Sequence, residues 1–332
     1  TFCSHNGMSR IDLQNIYGKG DRKEGEKLVR ISDKENNTFQ LPARWPSPEY
    51  AVNNVKFLID KFDVDFITIL DENMTSNIKW TKEFCNLYIK EGLSDLVKWG
   101  TLGDAPSVAT QPQIIKLMKE AGCSYISFGF ESASDKVLNQ DIQKGQTKMH
   151  LQKTVDVLSE NHMTPLTTFM IGNPQENIDD IMETLTFWIK NNLEVDPFIC
   201  TPYVGSPIYY NNKKFILSQY DERIKEGNLV KKELLKEWEL EALDIFMKDC
   251  GDATNYTATV SQNFSIAELV ALKNFMFKQD TRRILQMAHQ RYEQTGLPQW
   301  KHSEKWANYC NVCESKKAIQ MINIYISRCI IP

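Results

Sequence analysis

Between residues 48 and 200, a helix-like apolar rhythm gives way five times to a short β-rich run, and this alternation constrains the fold more than anything else in the chain. The first helix spans 48–62, with Ser47 as a plausible N-cap and Pro48 at the first helical position. The run Asp65-Phe-Ile-Thr-Ile-Leu70 follows as a buried strand. Four more pairs succeed it: helix 78–91 and strand 96–101, helix 112–121 and strand 125–130, helix 148–161 and strand 166–171, helix 178–191 and strand 197–200. Strands joined through helices run parallel, because the crossover must return to the same end of the sheet, and the helices then cover its face.

With one more strand ahead of Cys3, the pattern predicts an α/β fold, a partial (β/α)6 TIM-like barrel; a doubly wound open sheet is the rival. Polar and glycine clusters follow nearly every strand: Asp71-Glu72-Asn73, Gly103-Asp104, Glu131-Ser132, Gly172-Asn173-Pro174 and Thr201-Pro202-Tyr203. Parallel topology gathers strand ends on one face, so that face is the expected active site. From about Tyr209 the rhythm stops and the chain becomes helical and rich in Lys, Glu, Trp and Tyr. The predicted division is a barrel over 1–208, lacking its first strand, and a mainly α-helical segment over 209–332.

Length and composition agree. The chain has 332 residues, 42% hydrophobic and 25% charged, enough for one large domain and an appendage. A net charge of -4 offers no overall cationic field, which argues against nucleic acid as partner. The longest apolar runs, 66–70 and 322–326, are strand-length, so no membrane span is expected. Eight cysteines are too sparse for a disulfide scaffold and fit a reducing, cytoplasmic location. The start at Thr1, without an initiator methionine or signal peptide, reads as a truncation.

The opening Thr1-Phe2-Cys3 resembles the last three residues of Cys-x-x-x-Cys-x-aromatic-Cys, the cluster motif of radical S-adenosylmethionine enzymes. Five further pieces occur in that superfamily's order: Arg44-Trp-Pro-Ser-Pro-Glu49, Ile69-Leu-Asp-Glu-Asn73, Ala121-Gly-Cys-Ser-Tyr-Ile-Ser-Phe-Gly-Phe-Glu-Ser132, Met170-Ile-Gly-Asn-Pro-Gln-Glu176 and Thr201-Pro-Tyr-Val-Gly-Ser-Pro207. Over about half the chain they resemble the members that carry an upstream cobalamin-binding domain. The resemblance implies a [4Fe-4S] cluster held by three thiolates, with S-adenosylmethionine on the open iron and reductive cleavage to a 5'-deoxyadenosyl radical. It also implies methylation, cyclisation or rearrangement of an unreactive carbon in a small-molecule substrate, cobalamin through the upstream domain, and an electron donor such as flavodoxin or ferredoxin. A methylthiotransferase or tRNA-modifying relative is the alternative enzyme, and a cluster-less binding scaffold the alternative of another kind.

Site residues follow by matching positions. The resemblance makes Cys3 a cluster ligand and Phe2 the aromatic beside adenine. It gives Asp71 or Glu72 the methionine ammonium, where a carboxylate supplies a charge-assisted hydrogen bond; a capping cluster is the plainer reading. Glu131, with Ser132, matches the strand end that binds the ribose hydroxyls, although Ser132 also suits a helix start. Lys144 matches a basic residue facing the methionine carboxylate, or is a solvated loop lysine. Ile171, Gly172 and Asn173 match the strand end that reads the adenine edge, glycine permitting close approach.

The first two cluster cysteines have no counterpart in the chain. Cys310 and Cys313 form a C-x-x-C pair with only Cys250 and Cys329 nearby, so they read as structural or free thiols. His5, His150, His162, His289 and His302 show no ligand spacing.

Overall fold

The computed structural model describes residues 45–70, 73–193, 195–204, 206–225 and 258–306, together with two short strands, β1 (Arg30–Asp33) and β2 (Thr38–Gln40), paired antiparallel. Five parallel strands follow: β3 (Phe66–Thr68), β4 (Lys98–Gly103), β5 (Cys123–Glu131), β6 (Pro165–Ile171) and β7 (Phe198–Ile199). Each pairs with the next in chain order, and the sheet curls into the expected half-barrel.

The helices are α1 (Pro48–Phe62), α2 (Ile78–Lys90), α3 (Ala105–Thr110), α4 (Gln113–Glu120), α5 (Lys148–Glu160), α6 (Ile178–Asn191), α7 (Pro207–Lys225), α8 (Ile266–Phe277) and α9 (Thr281–Thr295). Their starts are locally specified. Ser47 Oγ accepts from Tyr50 N at 3.2 Å. Thr147, Asn177 and Ser265 each close a capping box, which satisfies amide donors that the first turn leaves unpaired.

The periodicity missed α3, whose six residues are too few for a helical pattern and which Asp104 caps by accepting from Ser107 N at 2.9 Å. It also placed the second strand two residues early. Val97 N bonds back to Leu93 O at 3.0 Å, so Leu96 and Val97, though apolar, close a turn instead of opening the strand.

Strand alternation sorts the two faces of the sheet. On the outer face Trp99, Ile126, Phe128, Phe130, Phe169 and Ile171 are fully buried beneath the helices. Each such side chain contributes about 2–3 kcal/mol of transfer free energy. On the inner face Phe66, Leu102, Leu166 and Phe198 remain exposed. The apolar core is one cluster that includes Leu269, Leu272 and Met276 of α8 and Ile284 of α9, so the C-terminal helices pack onto the barrel. Among the described residues no helix is long and apolar enough to cross a membrane.

Candidate active site

The end of β5 is irregular. Pairing with β6 slips between Gly129 and Glu131, and Glu131 adopts a left-handed φ of 62°. A bulge with an αL residue re-aims the side chain at a strand terminus, a device common beside active sites. The Glu131 carboxylate meets Lys144, whose Nζ donates to Glu131 Oε1 at 2.8 Å and to Gly129 O at 2.5 Å. Gln146 Nε2 donates to Phe130 O at 2.8 Å, satisfying the carbonyl beside the bulge. Ser132 turns the other way: it is fully buried, with Oγ 3.1 Å from Thr184 Oγ1, and it ties β5 to α6.

The end of β6 is built around a residue that the sequence reading had left without a role. Glu176 is fully buried, and its Oε2 accepts from Gly172 N at 2.6 Å and Asn173 N at 3.2 Å. Burial pushes the Glu176 carboxyl up to about 8, the two amides oppose that shift, and the charge of Asp180 adds to it. Among the described residues, Glu176 Oε1 and Asn173 Oδ1 are buried without a hydrogen-bond partner. With the carboxyl raised, Glu176 carries its proton near neutral pH, and since Oε2 accepts two amides that proton belongs on Oε1, which leaves Asn173 Oδ1 as the buried acceptor in want of a donor, at a cost of about 1–3 kcal/mol.

The segment after residue 258 seats directly on this turn. Gln262 N donates to Pro174 O at 3.0 Å, Gln175 Nε2 to Gln262 Oε1 at 2.6 Å, and Asn263 Nδ2 to Glu176 O at 2.8 Å. Gly172 holds a φ of 84° against the Leu269 side chain.

Six of the expected site residues therefore share one end of two adjacent strands: Glu131, Ser132 and Lys144 with β5, and Ile171, Gly172 and Asn173 with β6. Pairing of Glu131 with Phe169 puts the two strand ends side by side. Phe2, Cys3, Asp71 and Glu72 lie outside the described residues, as do His5 and Cys250, Cys310, Cys313 and Cys329. The residues missed had weak signals. Gly129 stands two before Glu131, hence on the same sheet face, and Glu176 closes a glycine-containing turn; nothing local marked Leu269, Gln262 or Asn263.

An iron–sulfur cluster does not fit the described thiols. Cys85, Cys123 and Cys200 are buried free thiols, and burial raises all three, Cys85 to about 12, away from the thiolate that iron needs. Among the described residues no group of three or more His, Cys, Asp or Glu forms a metal site. A nucleoside fits better: Glu131 Oε2 takes no hydrogen bond among the described residues, and Glu131 stands beside the strand end that Gly172 and Asn173 follow.

A half-barrel whose polar groups meet at the carboxyl ends of parallel strands defines an α/β protein with its site at the barrel mouth. Residues 1–187 match the radical SAM superfamily, and the chain belongs to it. It is 28% identical over 177 residues to an uncharacterized methyltransferase of Pyrococcus horikoshii, covering 52% of this chain and 38% of that protein. It is 29% identical over 147 residues to an anaerobic magnesium-protoporphyrin IX monomethyl ester cyclase of Cereibacter sphaeroides, covering 44% and 24%. The chain thus spans well under half the length of these relatives. Among solved structures, the cobalamin-dependent S-adenosylmethionine radical enzyme OxsB superposes with a TM-score of 0.50 at 13% identity, over 83% of this chain and 46% of that one. This last likeness concerns the fold.

Proposed function

We propose that this chain is the core of an enzyme that binds S-adenosylmethionine across the ends of β5 and β6 and cleaves it reductively for methylation, cyclisation or rearrangement of a small molecule. The carrying observation is that Glu131, at the bulged end of β5, stands beside the end of β6, whose Gly172–Asn173 turn follows directly. Glu131 Oε2 would accept from a ribose hydroxyl, and the Asn173 turn from the adenine amino group. Ser132 supports this arrangement through Thr184. Phe2 beside the adenine and Asp71 or Glu72 at the methionine ammonium complete the proposed set. When bound, a [4Fe-4S] cluster, with Cys3 among its ligands, supplies the electron for cleavage. The residues described here hold the nucleoside and exclude water from its adenine end. Cobalamin, through an upstream domain, and a flavodoxin or ferredoxin donor belong to the same reading, which is supported by the methyltransferase and cyclase names of the relatives.

Calorimetric titration with S-adenosylmethionine tests it. Wild-type protein should bind, and Glu131→Ala should weaken binding about tenfold or more, since a charge-assisted hydrogen bond is lost. Equal affinity in the two proteins sinks the role given to Glu131, and absence of binding by wild type favours a barrel that serves as a scaffold.

A further inference from the structure

Three irregularities of the backbone and one missing side chain converge on one ion pair. Glu131 sits at a bulge with a φ of 62°. Residues Val137–Ile142 form a π-helix, a form rare in proteins and frequent at functional sites. Gln143 and Gly145, on either side of Lys144, both adopt left-handed conformations, with φ of 53° and 72°. Gly129 lacks the β-carbon that would lie 2.5 Å from Glu131 Oε1 and 2.8 Å from Lys144 Nζ. Each departure from regular structure costs free energy, and a residue such as Gln143 in the left-handed region costs on the order of 1–2 kcal/mol. A solvated surface lysine needs none of them.

We infer that Lys144 is a positioning residue: it holds the Glu131 carboxylate by Oε1 so that Oε2 faces the ribose of the bound nucleoside. The inference rests on the nucleoside role proposed above for Glu131. It differs from a contact between Lys144 and the methionine carboxylate, because the lysine's shown partners are Glu131 Oε1 and Gly129 O. The anchoring is two-sided. The Gly129 carbonyl fixes the ammonium over the strand, and the ammonium then fixes one carboxylate oxygen. Side-chain exposures of 27% for Lys144 and 12% for Glu131 place the pair where water competes weakly. An unheld glutamate would sample several rotamers, and ligand binding would have to select one of them.

The experiment uses two ligands without a methionine carboxylate, 5'-methylthioadenosine and its 2'-deoxy analogue, titrated into wild-type, Glu131→Gln, Lys144→Met, Lys144→Gln and Lys144→Arg proteins. Wild type should prefer the ribonucleoside, and Lys144→Met should lose about tenfold in affinity for it together with most of that preference. Lys144→Arg, which can still span the carbonyl and the carboxylate, should recover both. Lys144→Gln, which keeps a donor for Gly129 O without the charge, should fall between them and guards against a fold defect in the methionine variant. Unchanged ribonucleoside affinity in Lys144→Met, with weakened binding only of S-adenosylhomocysteine, overturns the inference and returns the lysine to the ligand carboxylate. Wild-type protein that does not distinguish the two nucleosides overturns the ribose role of Glu131, and the inference falls with it.

Discussion

Leu269 Cδ1 lies 2.9 Å from the point where a β-carbon at Gly172 would stand, so a helix some hundred residues downstream presses on the turn that ends β6. The expected use of this glycine was close approach of an adenine; the group that approaches its α-carbon is a leucine methyl. The same segment reaches the turn through Gln262 and Asn263. The C-terminal helices thereby help set the shape of the site.

Gly172→Ala combines a left-handed φ with this contact, and should destabilise the protein by about 1–3 kcal/mol in urea unfolding. In a Leu269→Ala background the added cost should shrink to that of the backbone alone. Simple additivity of the two substitutions would show that the contact is soft.

Gly129→Ala puts its new methyl against the movable ends of Glu131 and Lys144, not against backbone. The ion pair should part while the fold persists. The expected result is a melting temperature within a few degrees of wild type and nucleoside affinity lowered about as far as in Lys144→Met.

Glu176 gives a pH signature. Its carboxyl ionises near 8 when folded against an ordinary 4.5, so between those values the unfolded chain binds fewer protons and stability falls as pH rises. The contribution is fully present below the unfolded value and is lost as pH passes through the folded one. Glu176→Gln is neutral throughout. The difference in urea midpoint between variant and wild type, measured from about pH 5 to about pH 9, should shift steadily in favour of the variant. Subtraction cancels Asp141, which burial also raises, and Asp179, which moves the other way. A constant difference would mean that Glu176 is already charged in the folded protein.

Asp179 at the start of α6 anchors the end of the described chain. Its Oδ1 accepts from Ser303 N and from Trp306 Nε1, each at 2.8 Å, and its Oδ2 from Ser303 Oγ. Burial alone would raise this carboxyl, but the Ser303 and Trp306 donors outweigh it and hold the group below its ordinary value of 3.8. The stabilisation is present above that value and lost on acidification. Asp179→Ala should cost about 2 kcal/mol near neutral pH and expose Trp306, which is read by its fluorescence.

Much of the architecture was legible because it depends on local pattern. The period of apolar residues, Ser47 before Pro48, and β-branched runs after helices placed helices and strands to within a few residues, and parallel order followed from the crossover rule. Glu131 and Gly172 were legible as strand ends for the same reason. Local pattern failed where the backbone departs from a period: the bulge at Glu131, the π-helix at Val137–Ile142 and the short α3 carry no repeat to read. The pairing of Lys144 with Glu131, the burial that raises Glu176, and the seating of Leu269 on Gly172 were decided only by tertiary structure. Each is an interaction between segments that meet because loops and helices from elsewhere in the chain pack against the ends of the sheet. Periodicity reports which face of an element is apolar; which distant side chain comes to lie against it is set by packing.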